Sequence, residues 1–198
     1  MTSGSFQKAI GKIDEVNSKD PNQETLEGHS WPKELLHSRL LTEWIERLVE
    51  HPPEILLLAI RGQHISRWSI PRSSFPMTRP GYHQWKNRLK QFHAETTSTI
   101  LLECGYAPEI ASRVERLILK KDFPQDPFSQ AIEDALCLLF LERQLQPLAE
   151  KTEAEKVVNA LKKSWAKMSG RAREEALKLK YTPECYQLVL RALDPSSA

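Results

Sequence analysis

Four side chains able to bind a metal or move a proton fall on apolar stripes. His37 is followed by Leu40, Leu41, Trp44 and Leu48 at +3, +4, +7 and +11, the spacing of one helix face. His64 has Ile60 and Leu57 at −4 and −7; His93 has Leu89 at −4 and Ile100 at +7, with Thr96 between; Asp134 has Cys137, Leu138 and Leu141 at +3, +4 and +7. Each of the four is expected to point inward from a different helix. A buried carboxylate without partners costs several kcal/mol, and an unpaired imidazole about 1–3 kcal/mol. Such groups can satisfy one another by hydrogen bonds, or all at once through a cation. Three neutral imidazoles and one carboxylate suit Zn, Fe, Mn or Co. One divalent transition metal held by His37, His64, His93 and Asp134 is therefore the expected cofactor. For any single histidine, a hydrogen-bonded core residue is the plainer reading. His29, His51 and His83 lie in loops or on polar faces and carry no assigned role.

A second feature is electrostatic. From Ile55 to Ala94 there is no Asp or Glu, although 26 acids in 198 residues would place about five there. The same window holds Arg61, Arg67, Arg72, Arg79, Lys86, Arg88 and Lys90, interleaved with Trp68, Phe75, Tyr82 and Trp85. A one-sign stretch attracts anions, unless neighbouring glutamates neutralise it in the fold. The forked donors of Arg61, Arg67, Arg72 and Arg79 suit phosphate. Trp68 or Tyr82 would stack on a base or shield the site.

The elements that must position these groups read as helix after helix, and strand alternation is absent. Phe6, Ala9, Ile10, Ile13 and Val16 mark a first helix, followed by a polar loop, "NSKDPNQETLEGHS". A second helix opens near Pro32 and runs to about Glu50; a third follows "HPP" and continues to about Ile65. The loop 66–77, with Pro71 and Pro76 and no glycine, should be stiff. A long helix runs from about Arg79 to a C-cap at Gly105, and "APEIASRVERLILKK" forms a fifth. Asp126 and Pro127 open a sixth, which Pro147 ends. "TEAE" at Thr152 reads as a capping box, and two further helices complete the tail, the last capped by Thr182. The expected fold is all-α: a helical core over 1–150 with a helical extension, 151–198, packed on it as part of one domain.

The whole chain bounds the function classes. Its 40% apolar and 27% charged residues are those of a soluble globular protein. Cys104, Cys137 and Cys185 are odd in number and widely spaced, which points to a reducing, cytoplasmic setting. No signal-peptide core opens the sequence, and no apolar run reaches the roughly 20 residues of a membrane span.

The order His37, then His64 at the end of an apolar helix, then "FHAETTSTILLECGY", then "IEDALCLLFLE" resembles the HD superfamily of helical phosphohydrolases. Segments "PKELLHSRLLTEWIERL" and "QHISRWSIPRSSFP" are similar to an uncharacterised HD-like family of bacteria and fungi, whose members are sometimes called glutamyl-tRNA synthetase. That likeness spans roughly residues 5–190. No Rossmann-type segment or synthetase motif is present to fit such a name. The resemblance implies an HD-domain-like bundle hydrolysing phosphate esters, often of nucleotides, through a metal-activated water. His37 matches the family's first ligand, His64 the histidine of its His-Asp pair, and Asp134 the distant acid. Ile65 stands where the Asp of the pair belongs, which argues against a two-metal centre. His93 would compensate as a ligand, and Glu133 is a weaker candidate.

Three functions follow as expectations. The first is a metal-dependent phosphohydrolase; the second is a non-catalytic HD-like module binding an anionic metabolite or nucleotide. RNA binding through the basic window is the third and weakest. No membrane partner is expected, and the helical tail leaves homodimerisation open.

Overall fold

The computed structural model describes residues 4–194. They are predominantly helical, with one small two-stranded sheet. The chain falls into two compact units, Met1–Ser129 and Gln130–Ala198, a division that precedes the change of character at Thr152.

The first unit contains α1 (Gly4–Asn17), β1 (Gln23–Leu26), β2 (His29–Pro32), α2 (Lys33–Leu48), α3 (Glu54–Gly62), α4 (Arg79–Glu103) and α5 (Pro108–Leu119). At its centre is α3, which packs against α1, α2, α4 and α5. Its sequence, EILLLAIRG, is apolar nearly all round, and Leu56, Leu58, Ala59 and Ile60 are fully buried. A helix with no polar face belongs inside. Where α3 ends, the chains approach closely: a Cβ on Gly62 would lie 2.3 Å from Thr97 Oγ1 on α4.

The expected helices are present with shifted ends. The third stops at Gly62 rather than Ile65, so His64 sits on the turn beyond it instead of on a helix. Gly105 follows α4 with φ +86°, the left-handed residue of a helix stop.

The polar loop after α1 is not a loop throughout. Residues 23–32 form an antiparallel hairpin, Gln23 opposite Pro32 and Glu24 opposite Trp31. Its turn places Glu27 at φ 51° and Gly28 at φ 78°. Two successive positive φ values give the type I′ geometry whose twist matches paired strands.

The loop between α3 and α4 is stiff for reasons beyond its prolines. It holds two short 3₁₀ turns, Arg67–Ser69 and Arg72–Ser74. Arg72 donates to the carbonyls of Phe75 (3.0 Å) and Pro76 (2.8 Å), and Trp85 Nε1 reaches back from α4 to the Ile70 carbonyl at 2.9 Å.

The second unit begins within α6 (Pro127–Leu139), whose start is capped by Asp126 Oδ1 accepting from Ser129 N at 2.8 Å. The helix widens through a π-helical stretch, Phe140–Gln144, into a short α7 (Leu145–Ala149). Pro147 lies inside α7 rather than ending α6. It follows directly on the π-helical stretch, the kind of irregularity at which a helix accommodates a proline. The capping box at Thr152 does not form: Glu153 is the N-cap of α8 (Ala154–Lys167), without a side-chain bond. Ser169 caps α9 (Gly170–Leu177), and Thr182 caps α10 (Pro183–Leu193) by accepting from Cys185 N, as the sequence suggests.

Gly62→Ala should therefore cost about 1–3 kcal/mol, the usual penalty of overpacking, and Thr97→Ala should recover part of it. Urea denaturation of the single and double variants measures both.

Candidate functional site

Three of the expected side chains meet in the first unit. His37 on α2 and His93 on α4 are each 2% exposed; His64, on the turn after α3, is 23% exposed. The rings of His64 and His93 stand edge to face with centroids 5.9 Å apart. His93 is held by its neighbour in sequence to His64: its Nδ1 lies 2.7 Å from the Ile65 carbonyl. A carbonyl only accepts, so Nδ1 carries the proton and Nε2 is left with a lone pair. That Nε2 is buried and has no partner.

A carboxylate that sequence reasoning passed over completes the group. Glu34, 5% exposed on the first turn of α2, places Oε2 3.9 Å from His64 Nδ1 and Oε1 3.9 Å from Arg67 Nε. Neither distance is a hydrogen bond, and Oε2 is buried without one. Its backbone is fixed more firmly: Glu34 N donates to Asp20 Oδ2 at 2.9 Å, and Asp20 Oδ1 accepts from Asn22. The signal was present in the sequence. Glu34 and His37 are three apart, which puts them on one face. A second missed residue, Glu24 on β1, takes His37 Nε2 at 2.8 Å. Nothing in the sequence marks it, because it reaches His37 only through the hairpin.

The segment 63–67 concentrates unmet polar groups. Of the five buried side-chain atoms lacking partners among the described residues, those of Gln63, Glu34 and His93 belong to or adjoin it. A fourth is on Asn17, whose Oδ1 accepts from Ser66 N at 3.1 Å. Ser66 itself is left-handed at φ 52°, a conformation a non-glycine residue adopts at some cost.

The four candidate phosphate arginines separate. Arg61 is committed elsewhere: it grips Asp14 with two bonds of 2.7 and 2.6 Å, tying α3 to α1. Arg72 spends its donors on loop carbonyls. Arg79 is exposed at the start of α4. Arg67 alone joins the histidine cluster, its guanidinium lying over the Trp85 ring at 5.0 Å. Trp68 is half-buried in the first 3₁₀ turn; Tyr82 is 43% exposed and packs on Trp85 at 5.8 Å between ring centroids.

Asp134 belongs to the second unit, where Oδ1 accepts from Gln130 Nε2 (2.9 Å) and from Ser169 N (2.8 Å) at the start of α9. Glu133 pairs with Lys167 at 3.0 Å. Cys104, Cys137 and Cys185 are all buried, and none is in a disulfide among the described residues.

The electrostatics keep the imidazoles neutral. Burial lowers His93 from its usual 6.5 to about 4, with Arg67 adding to the effect and the Ile65 carbonyl opposing it. His64 is also lowered well below the ordinary range, by burial first and then by Arg67, His93 and His37. Burial raises the Glu34 carboxyl, against the pull of His37 and Arg67. The donor types, two neutral imidazoles and a carboxylate with unmet lone pairs, fit a divalent cation. Among the described residues, however, no three His, Cys, Asp or Glu side chains already stand close enough to hold one together.

A match to a family model extends over residues 7–189, nearly the whole chain. The chain belongs to the family described as "Domain of unknown function (DUF4202)". No curated protein and no solved structure matches it. Membership accords with the expectation of an uncharacterised family. Among the described residues, no helix is long and apolar enough to cross a membrane.

His93 protonates more readily unfolded than folded, so the stability it contributes is full above about pH 6.5 and is lost as pH falls toward 4. Chelator-treated protein should lose stability on acidification over that window. In His93→Gln the dependence should flatten by up to about 1.4 kcal/mol per pH unit, read by denaturation at stepped pH.

Proposed function

We propose that this protein is a phosphohydrolase of HD type, using one divalent metal and acting on a nucleotide or another phosphate ester. The observation that carries the reading is the unpartnered Nε2 of His93, a neutral imidazole with its tautomer set by the Ile65 carbonyl. A carbonyl on the far nitrogen is the usual outer support of a metal-ligating histidine. His64, 5.9 Å away ring to ring, is the second imidazole of the site. His37, from the expected ligand set, is engaged through Nε2 by Glu24, and Asp134 is bonded within its own unit to Gln130 and Ser169.

A divalent cation at this site supplies Lewis acidity toward a phosphoryl oxygen and toward water. The protein's own residues do the rest. Arg67 is 35% exposed at the rim and offers guanidinium donors to a phosphate. Trp85 orients that guanidinium by lying beneath it, and is itself fixed by its bond to Ile70. Ile65, fully buried, holds the His93 ring through its backbone carbonyl and brings no carboxylate to the site.

A second reading is a non-catalytic module binding the same anionic ligand. It is favoured by Ile65 and by the lack of a ready-made ligand trio among the described residues. RNA binding has less support, since two arginines of the basic window are committed internally.

Purified protein supplied in turn with Mn, Co, Ni, Mg and Zn should hydrolyse at least one nucleotide or aryl phosphate. His64→Ala should reduce that turnover by roughly 100-fold or more. Phosphate-ester binding without turnover under every metal, retained in His64→Ala, would select the non-catalytic reading.

A further inference from the structure

The proposed metal site has two imidazoles but lacks the carboxylate that normally follows the pair's histidine, because Ile65 is there. We propose that Glu34 supplies it: Glu34 is an acidic metal ligand of this chain, brought in from the first turn of α2. The inference rests on the metal-dependent reading above and extends it to a residue outside the His-Asp pattern.

Three observations support it. Glu34 is 5% exposed, and its Oε2 is buried with no hydrogen bond. A carboxylate oxygen in that state is costly unless something positive or protonated meets it. Arg67 Nε makes only a long ion pair with the other oxygen, Oε1, at 3.9 Å, and His64 Nδ1 stops 3.9 Å from Oε2. A gap of 3.9 Å is too long for a hydrogen bond. The gap between Glu34 and His64 lies within the span of two ligands of one ion, each about 2.0–2.2 Å from it.

The backbone holds Glu34 in place independently of its side chain. Asp20 accepts from Glu34 N, and Lys33 N donates to the Asn22 carbonyl at 2.9 Å, so the hairpin base and the helix start are locked together. A carboxylate anchored at its backbone yet unmet at its oxygen is arranged to receive a ligand. The ion's remaining protein donors are then His93 Nε2 and His64. No trio is preassembled among the described residues, so these side chains would have to shift to meet the ion together.

The geometry also separates Glu34 from the other acids nearby. Asp20 has both oxygens occupied by Asn22 and Glu34 N. Glu24 is taken by His37, and Asp14 by Arg61.

Cobalt(II) titration of the metal-stripped full chain, followed by visible absorption and calorimetry, tests the assignment without reference to turnover. Wild-type protein should bind about one equivalent with d–d bands. Glu34→Gln should weaken binding by roughly 10–100-fold and alter the bands, with Glu34→Asp recovering part of the affinity. Asp134→Asn should stay within about threefold of wild type. Circular dichroism melts identify which variants are folded; if Glu34→Gln is not, Glu34→Asp carries the test, and an unchanged affinity and spectrum there overturn the role. Unchanged binding in folded Glu34→Gln, or loss in Asp134→Asn instead, overturns it as well. No cobalt uptake by wild type would instead overturn the metal-dependent reading on which the assignment rests.

Discussion

An imidazole nitrogen and a carboxylate oxygen, both buried and both without partners, set the terms for the unit Met1–Ser129. Leaving such atoms unmet costs about 1–3 kcal/mol each, a large share of the 5–15 kcal/mol by which a domain is stable. Much of the surrounding structure holds them where they are. The Ile65 carbonyl orients His93, Asp20 anchors the backbone of Glu34, and Asn17 supports the left-handed Ser66. The first two of these bonds fix the residues that carry the open atoms. The local structure is organised around these two polar atoms.

The charge pattern acquires a physical meaning in the same place. A forty-residue window without acids suggests a broad positive surface, but the fold distributes its arginines among different tasks. Arg61 is turned inward to neutralise Asp14 between helices. Arg72 ties down the loop that follows. Arg67 is left over the Trp85 ring, close enough to bias the histidines toward their neutral forms. Neutral imidazoles are what a metal ion requires, and a guanidinium beside them is what a phosphate requires. One loop thus conditions both halves of the proposed chemistry.

How much of this was legible depended on the range of the interactions. Helix periodicity identified the faces carrying His37 and His93, because burial repeats every three or four residues along one element. It placed His64 on a helix, whereas α3 stops at Gly62, where close packing against Thr97 admits no side chain. Glu34 was readable in principle, three residues before His37 on the same face. Glu24 was not readable: its strand is four residues long, has no apolar alternation, and is defined by a turn at Glu27–Gly28. The roles of Arg61 and Arg72 depend on partners that only the folded chain brings near, as does the bond from Asp134 to Ser169.

The account stands on the claim that the open atoms around segment 63–67 are open for a cation. The most direct measurement is a crystal grown with manganese or cobalt and recorded at the metal's absorption edge. The account predicts one anomalous peak about 2.0–2.3 Å from both His93 Nε2 and a Glu34 oxygen. A fully ordered structure in which those two atoms bond only to protein or to water, with no peak beside them, would contradict it.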